Sequence, residues 1–354
     1  MSRSETDRTV IDRSFAALTP EFMLDALEAA GLWSDGRMLQ LNSFENRVIQ
    51  VHLEEGHEFG GVAVAKFYRP GRWTDAQILE EHAFAAELAE AEVPVAAPWT
   101  LGGSTLRHEQ GQRFAVSARQ GGRGPELDDP EVLRWIGRLL GRLHNVGRQR
   151  RFSHRLNWSS AEPAILARDY LVEHEAMPSE ILPVWREVAD RCITVIQAAF
   201  DAVPDLLTLR LHGDCHPGNI LWTPDRGPHF VDLDDAVTGP AVQDLWMLLS
   251  GDALSMRQQL GYVLDGYETV ADFDHRELTL IEPLRTLRMI HHSAWLAKRW
   301  GDPAFPLAFP WFGTPNYWND QVAKLREQLE AMREPASTPD APAEVEEDYK
   351  FWDE

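Results

Sequence analysis

Asp214 and Asn219 lie five positions apart in the segment LHGDCHPGNILW (211–222), and a second carboxylate, Asp232, closes the short apolar run Phe230–Val231 that follows. Phosphoryl transfer needs little covalent help from a protein. The acceptor hydroxyl must be positioned and deprotonated, and the phosphate charge must be neutralised by metal ions. An aspartate on a rigid loop can take the hydroxyl proton. An asparagine on the same loop offers a neutral oxygen to Mg²⁺, and an aspartate at a strand end offers a charged one, both hard ligands of the kind Mg²⁺ prefers. His212 and His216 flank Asp214, and for both the favoured reading is structural, holding loop backbone by hydrogen bonds. Asp234 and Asp235 read as a loop and helix-cap pair rather than as ligands.

These residues must be positioned by what surrounds them. The apolar spacing of Phe15, Leu18, Phe22, Leu24, Leu27 and Leu32 suits one or two helices ending near Gly31. From Met38 the pattern changes, and 47–53 and 62–68 read as a hairpin of two strands around a polar, Gly-containing turn. Thr74 is a predicted N-cap for a helix ending near Glu92, with Ile78, Leu79, Ala83, Phe84 and Leu88 on one face. Strand-like pieces follow at 99–101 and 113–118. The Gly-rich stretch 121–125 reads as a hinge. Beyond it helices are predicted at 130–146, 162–174, 179–202, 242–249, 256–267, 275–300 and 318–332, interrupted by the mixed region 209–235. A Pro- and aromatic-rich loop, DPAFPLAFPWFGTPNYW, separates the last two helices. The expected organisation is 1–120 as a small strand-rich part, 121–334 as a larger helical part, and 335–354 as an acidic, flexible tail whose Tyr349, Phe351 and Trp352 could dock on the body.

The bulk composition narrows the function classes. Of 354 residues, 44% are hydrophobic, enough for a sizeable core, and no apolar run is long enough to span a membrane. The net charge of −22 disfavours nonspecific nucleic-acid binding and gives a weak lean toward basic protein substrates. Two cysteines, Cys192 and Cys215, are too few for a disulfide framework or a zinc site, and a cytoplasmic protein with free thiols is expected. Cys215 reads as a small side chain filling space beside the Asp214 loop, in preference to a redox-sensitive thiol. The 13 tryptophans suggest aromatic packing rather than a cofactor box, and His144 reads as a core residue.

The string HGDxHxxN, followed by a strand ending in aspartate, resembles the aminoglycoside-phosphotransferase and choline-kinase branch of the kinase superfamily. LNSFENRV (41–48), the 211–222 segment, VDLDDAVTGPAVQDLWMLLSGD (231–252) and DPAFPLAFPWF (302–312) are more closely similar to the stress response kinase A family of bacterial serine/threonine protein kinases. The resemblance covers nearly the whole chain except the tail. It implies an α+β, two-lobed protein-kinase-like fold, with Asp214 as proton acceptor, Asn219 and Asp232 as Mg²⁺ ligands, and ATP as donor. Ser43 falls in the family's nucleotide-covering loop. That loop lacks the G-x-G-x-x-G of protein kinases, so Ser43, Asn46 and backbone amides would meet the phosphates. Lys66 occupies the position of the kinase lysine that pairs with the α- and β-phosphates, and Glu81 is its expected carboxylate partner, with Glu80 and Glu87 as rivals. Asp244 is expected to accept hydrogen bonds from the catalytic-loop amides.

A monomeric serine/threonine protein kinase is the leading reading. A small-molecule alcohol kinase acting on an aminoglycoside, choline or homoserine would use the same three residues. The short stretch between Asp235 and the next helix resembles such enzymes. A non-catalytic nucleotide-binding scaffold ranks last, because each catalytic position holds a competent residue.

Overall fold

The computed structural model describes Phe15 and residues 18–333; the tail positions Tyr349, Phe351 and Trp352 lie outside the described residues. In chain order the elements are α1 (Pro20–Ala29), β1 (Ser34–Leu41), β2 (Arg47–Leu53), β3 (Val62–Phe67), α2 (Asp75–Glu90), β4 (Arg107–Glu109) and β5 (Gln112–Ala118). These are followed by α3 (Pro130–Gly147), α4 (Glu162–Glu173), α5 (Leu182–Asp201), β6 (Leu209–Leu211), β7 (Ile220–Thr223), β8 (Gly227–Phe230) and β9 (Val237–Gly239). The chain continues through α6 (Val242–Trp246), α7 (Ala253–Tyr267), α8 (Ile281–Arg299), α9 (Ala304–Ala308) and α10 (Pro315–Ala331). This is the α+β, kinase-like arrangement: an antiparallel sheet first, helices afterwards.

The first sheet runs β1-β2-β3-β5-β4. Alternation in β2 and β3 puts Ile49, Val51, Leu53, Ala63, Ala65 and Phe67 on one face, where they bury against Met23, Ala26 and Leu27 of α1. Lys66 therefore points to the other face. Thr74 caps α2 in a capping box with Gln77. The buried face of α2 is Ile78, Glu81, His82, Phe84, Ala85 and Leu88, whereas Leu79 and Ala83 are exposed. The predicted stripe was rotated, and Glu81 lies inside the face rather than at its border. Strand β1 begins at Ser34, four residues before the expected change of pattern, because its largely exposed side chains give no alternation to read. The expected strand near 99–101 is only a pair of isolated bridges.

The second part is built on α3, capped by Asp129, which packs along α7. Two glycines set their separation. A Cβ on Gly137 would lie 2.0 Å from the Val263 carbonyl oxygen, and one on Gly266 would lie 2.0 Å from that of Arg134. The reciprocal contact leaves no room for a methyl. Strands β6 and β9 pair, as do β7 and β8, and the Asp214 loop runs from β6 to β7. The segment at 121–125 is anchored by Arg123, whose backbone exchanges hydrogen bonds with Trp222 at 3.0 and 2.7 Å. Residues 275–280 form a 3₁₀ turn ahead of α8, and the Pro-rich loop contains the short α9. No helix among the described residues is long and apolar enough to cross a membrane. Gly137→Ala should destabilise the fold by about 1–3 kcal/mol, the usual cost of overpacking. Urea unfolding checks this, with an exposed substitution such as Ala83→Ser near neutral.

Candidate functional site

The loop carrying Asp214 is held from beneath by one buried carboxylate. Asp244 on α6 accepts the backbone N–H of His212 and of Gly213, each at 2.8 Å, and its Oδ2 lies 3.1 Å from His144 Nε2. His144 Nδ1 in turn meets the Tyr267 hydroxyl at 3.0 Å. Gly213 has φ +82°, and a Cβ there would sit 2.1 Å from the Asp235 carbonyl oxygen, so only glycine fits. His212 donates from Nε2 to the Val231 carbonyl at 3.0 Å and accepts the Asp214 N–H at Nδ1. His216 accepts the Gly218 N–H at 3.0 Å, and its half-exposed ring comes within 3.6 Å of Asp214 Oδ2. Both histidines thus bind loop backbone, as the structural reading expected. Cys215 is fully buried, and burial, with Asp244 and Asp214 nearby, pushes its thiol well above the ordinary range. It has the character of a packing residue rather than a reactive thiolate.

Asn219 donates its Nδ2 to the Asp214 carbonyl at 2.9 Å, which ties the loop across its own span and leaves the amide oxygen as the group able to meet a cation. The β7–β8 ladder continues through Val231 N–H to Asn219 O at 3.0 Å, bringing Asn219 and Asp232 to the same end of the hairpin. The strand stops at Phe230, two residues short of the expected end. Asp232 itself is left-handed (φ +61°), with a half-exposed carboxylate. One carboxylate and one amide oxygen are hard donors of the kind Mg²⁺ takes while keeping much of its own shell. Among the described residues no group of three or more His, Cys, Asp or Glu side chains could hold a metal alone.

Lys66 forms its ion pair with Asp232, Nζ to Oδ1 at 2.7 Å, and not with Glu81. Burial works against the ammonium, but Asp232, Asp234 and Glu81 together hold it above the usual lysine range. Glu81 is buried, its Oε2 has no hydrogen-bond partner, and burial pushes it up to about 7 against the pull of Lys66. The two rivals are engaged elsewhere. Glu80 accepts the backbone N–H groups of Ser153, His154 and Arg155, and Glu87 pairs with Arg210 and Arg150. Of the three acids, Glu81 is the one in the electrostatic environment of Lys66.

Ser43 Oγ accepts the Asn46 N–H at 3.2 Å, closing a tight turn. Asn46 is not free for phosphate. It is buried, donating to Asp234 Oδ2 at 3.0 Å and accepting the Arg69 N–H at 3.1 Å. Glu45 and Phe44 are the residues that sequence reasoning missed in this loop. Glu45 meets Arg299, Arg69 and Arg72, and accepts the Trp295 indole N–H at 2.8 Å. Phe44 lies on Phe309 and Phe305, with ring centroids at 5.0 and 6.2 Å. Asp234 and Asp235 cap no helix, contrary to expectation. Both bind Arg72, and Asp234 is buried. Arg288 of α8 was also missed; its Nη2 is bonded to Asp214 Oδ1.

Glu81 gives the site a pH signature. Its folded pKa of about 7 exceeds the ~4.3 of an unfolded glutamate, so the folded state binds more protons between these values. Stability should fall as pH rises from 5 to 7 and level off above, by at most about 1.4 kcal/mol per unit. Glu81→Gln should lack this decline. Parallel urea titrations of the two proteins at pH 5, 6, 7 and 8 check it.

The family described as "Phosphotransferase enzyme family" matches residues 38–281. The serine/threonine protein kinase RdoA of Salmonella typhimurium (strain LT2) is 45% identical over 322 residues, covering 91% of this chain and 96% of the relative. Stress response kinase A of Escherichia coli (strain K12) is 46% identical over the same shares. Among solved structures, the amicoumacin kinase hAmiN, in complex with AMP-PNP, Ca²⁺ and Ami, is 20% identical and matches the fold with a TM-score of 0.68 over 93% of this chain and 98% of its own. A microcompartment-associated aminopropanol kinase is 15% identical, with a TM-score of 0.61 over 88% and 96%. A match running through both the sheet and the helices, shared with relatives of nearly equal length, makes this chain a member of the phosphotransferase enzyme family, within its stress response kinase A group.

Proposed function

We propose that this protein is an ATP- and Mg²⁺-dependent serine/threonine kinase of the cytoplasm that transfers the γ-phosphate of ATP to a protein hydroxyl. The observation that carries the reading is the 45% identity to a named serine/threonine protein kinase over 96% of that protein's length. In this reading residues 1–120 and 121–334 are the two lobes, and ATP lies between them. Asp214 accepts the proton of the acceptor hydroxyl as the new O–P bond forms and the bond to the ADP oxygen breaks. Asn219 and Asp232 hold Mg²⁺, which when bound supplies the positive charge that offsets the phosphates. Lys66 exchanges its contact with Asp232 for the α- and β-phosphates, and Glu81 orients it. Ser43 and the backbone amides of its turn lie over the phosphates.

A second reading, transfer to a small alcohol, is favoured by one feature. Only Ala236 to Ala241 separate Asp235 from α6, and most of that stretch is buried, with β9 pairing to β6, so the chain has no long segment there to receive a peptide.

Asp214→Asn should keep ATP binding yet lower transfer by about 10²–10⁴-fold, the scale of general-base loss. Labelled ATP with casein or a panel of alcohols measures this, and transfer at the wild-type rate would overturn the assignment. Asp232→Ala should weaken Mg·ATP binding sharply and Asn219→Ala less so, since only the first removes a charge. Calorimetric titration of Mg·ATP separates the two.

A further inference from the structure

The geometry around Asp214 points to a preference in the acceptor: we propose that Arg288 makes this site select hydroxyls that carry a negative charge close by, in a protein an acidic stretch around the serine or threonine. This rests on Asp214 being the acceptor-side base. Arg288 sits on α8 with its guanidinium at the Asp214 carboxylate and its side chain 32% exposed. A guanidinium has five N–H donors, and Asp214 engages Nη2, so a cation with donors to spare stands beside the base. A hydroxyl hydrogen-bonded to Asp214 comes within one side-chain length of it.

The neighbours along α8 do not cancel that charge. Arg285, one turn earlier, is paired with Glu282 at 2.7 Å and lies over the Trp246 ring at 5.4 Å. His292, one turn later, is held below the usual histidine range by burial first and by Arg288 second, against the pull of Asp214. Asp214 offsets the guanidinium charge and Asp235 lies within its electrostatic reach, so what Arg288 adds on the acceptor side, in a chain of net charge −22, is its unused N–H donors. The distant acidic surface is screened within roughly 8 Å at physiological ionic strength, so at the point of transfer the guanidinium decides. This reverses the lean toward basic proteins that bulk charge alone suggests.

The test measures kcat/KM with Mg·ATP on serine peptides that differ only in their flanks, Asp/Glu, Ala or Lys/Arg, and on two small alcohols, glycerate and aminopropanol. The acidic peptide should exceed the basic one by roughly 10-fold or more, the worth of one charged hydrogen bond. Arg288→Glu should invert that order, Arg288→Gln should bring the ratio toward one, and Arg288→Lys should keep it. Titration with Mg·ATP reports that each variant is folded. An arginine that merely orients Asp214 would lower every acceptor by the same factor, so an unchanged ratio in Arg288→Glu overturns the proposal. Preference for the basic peptide and aminopropanol, or transfer to none of these acceptors, overturns it as well. Transfer to glycerate over aminopropanol with no peptide phosphorylated upholds selection for an anion and rejects the protein-acceptor reading instead.

Discussion

The carboxylate of Asp234 is almost fully buried at the junction of the sheet and the helical part. A carboxylate withdrawn from water is costly unless opposite charge and hydrogen-bond donors surround it. Burial alone would raise its pKa, but Arg72 and Lys66 outweigh that and hold it lowered. Asn46 and Arg72 supply the donors to its side chain, and the guanidinium of Arg155 binds its carbonyl. Each of these groups comes from a different stretch of chain. Removing one side of such a buried pair typically costs about 3–5 kcal/mol, several times what an exposed pair is worth. The turn that presents Asp232 is therefore fixed relative to the segment after β3 and to the Ser43 turn.

From that point order spreads in two directions. Through Asn46 it reaches the turn at Ser43, where Glu45 gathers Arg69, Arg72 and Arg299 from both parts of the molecule. Arg69 adds a bond to Asp302 at 2.8 Å. Through Asp235 it reaches Gly213, whose backbone lies against the Asp235 carbonyl, and so the loop of Asp214. Asp244 completes the support from below. The carboxylates of Asp214 and Asp232 are thus positioned by a shared set of buried charges rather than by two separate scaffolds.

What could be read from the chain divides by sequence distance. Asp214 and Asn219 share one short loop, and their spacing already brings them together there. The helices 130–146 and 162–174 were legible because their apolar faces repeat along a single segment. Arg72 and Arg288 were not, because their partners lie 162 and 74 residues away and nothing local marks an arginine as paired. Asp234 and Asp235 read as a cap because acids before a helix usually are caps; a long-range cation claimed them instead. Helix register singled out Glu81, which is buried within the electrostatic reach of Lys66, although the buried stripe of α2 was misplaced by the exposed Leu79 and Ala83. Its expected bond to Lys66 is absent because Asp232 is the nearer carboxylate in this state.

Phe44 carries a consequence of a different kind. Its ring rests on Phe305 and Phe309, and Trp295 packs on the same pair. Lifting the Ser43 turn away from α9 would wet these aromatic surfaces, and exposing apolar surface raises heat capacity. The enthalpy of opening must then change with temperature, and the contact weakens on cooling. The logarithm of the fraction with this contact broken, plotted against inverse temperature, will be a curve rather than a line, giving the contact a thermal response separate from that of the charges around it.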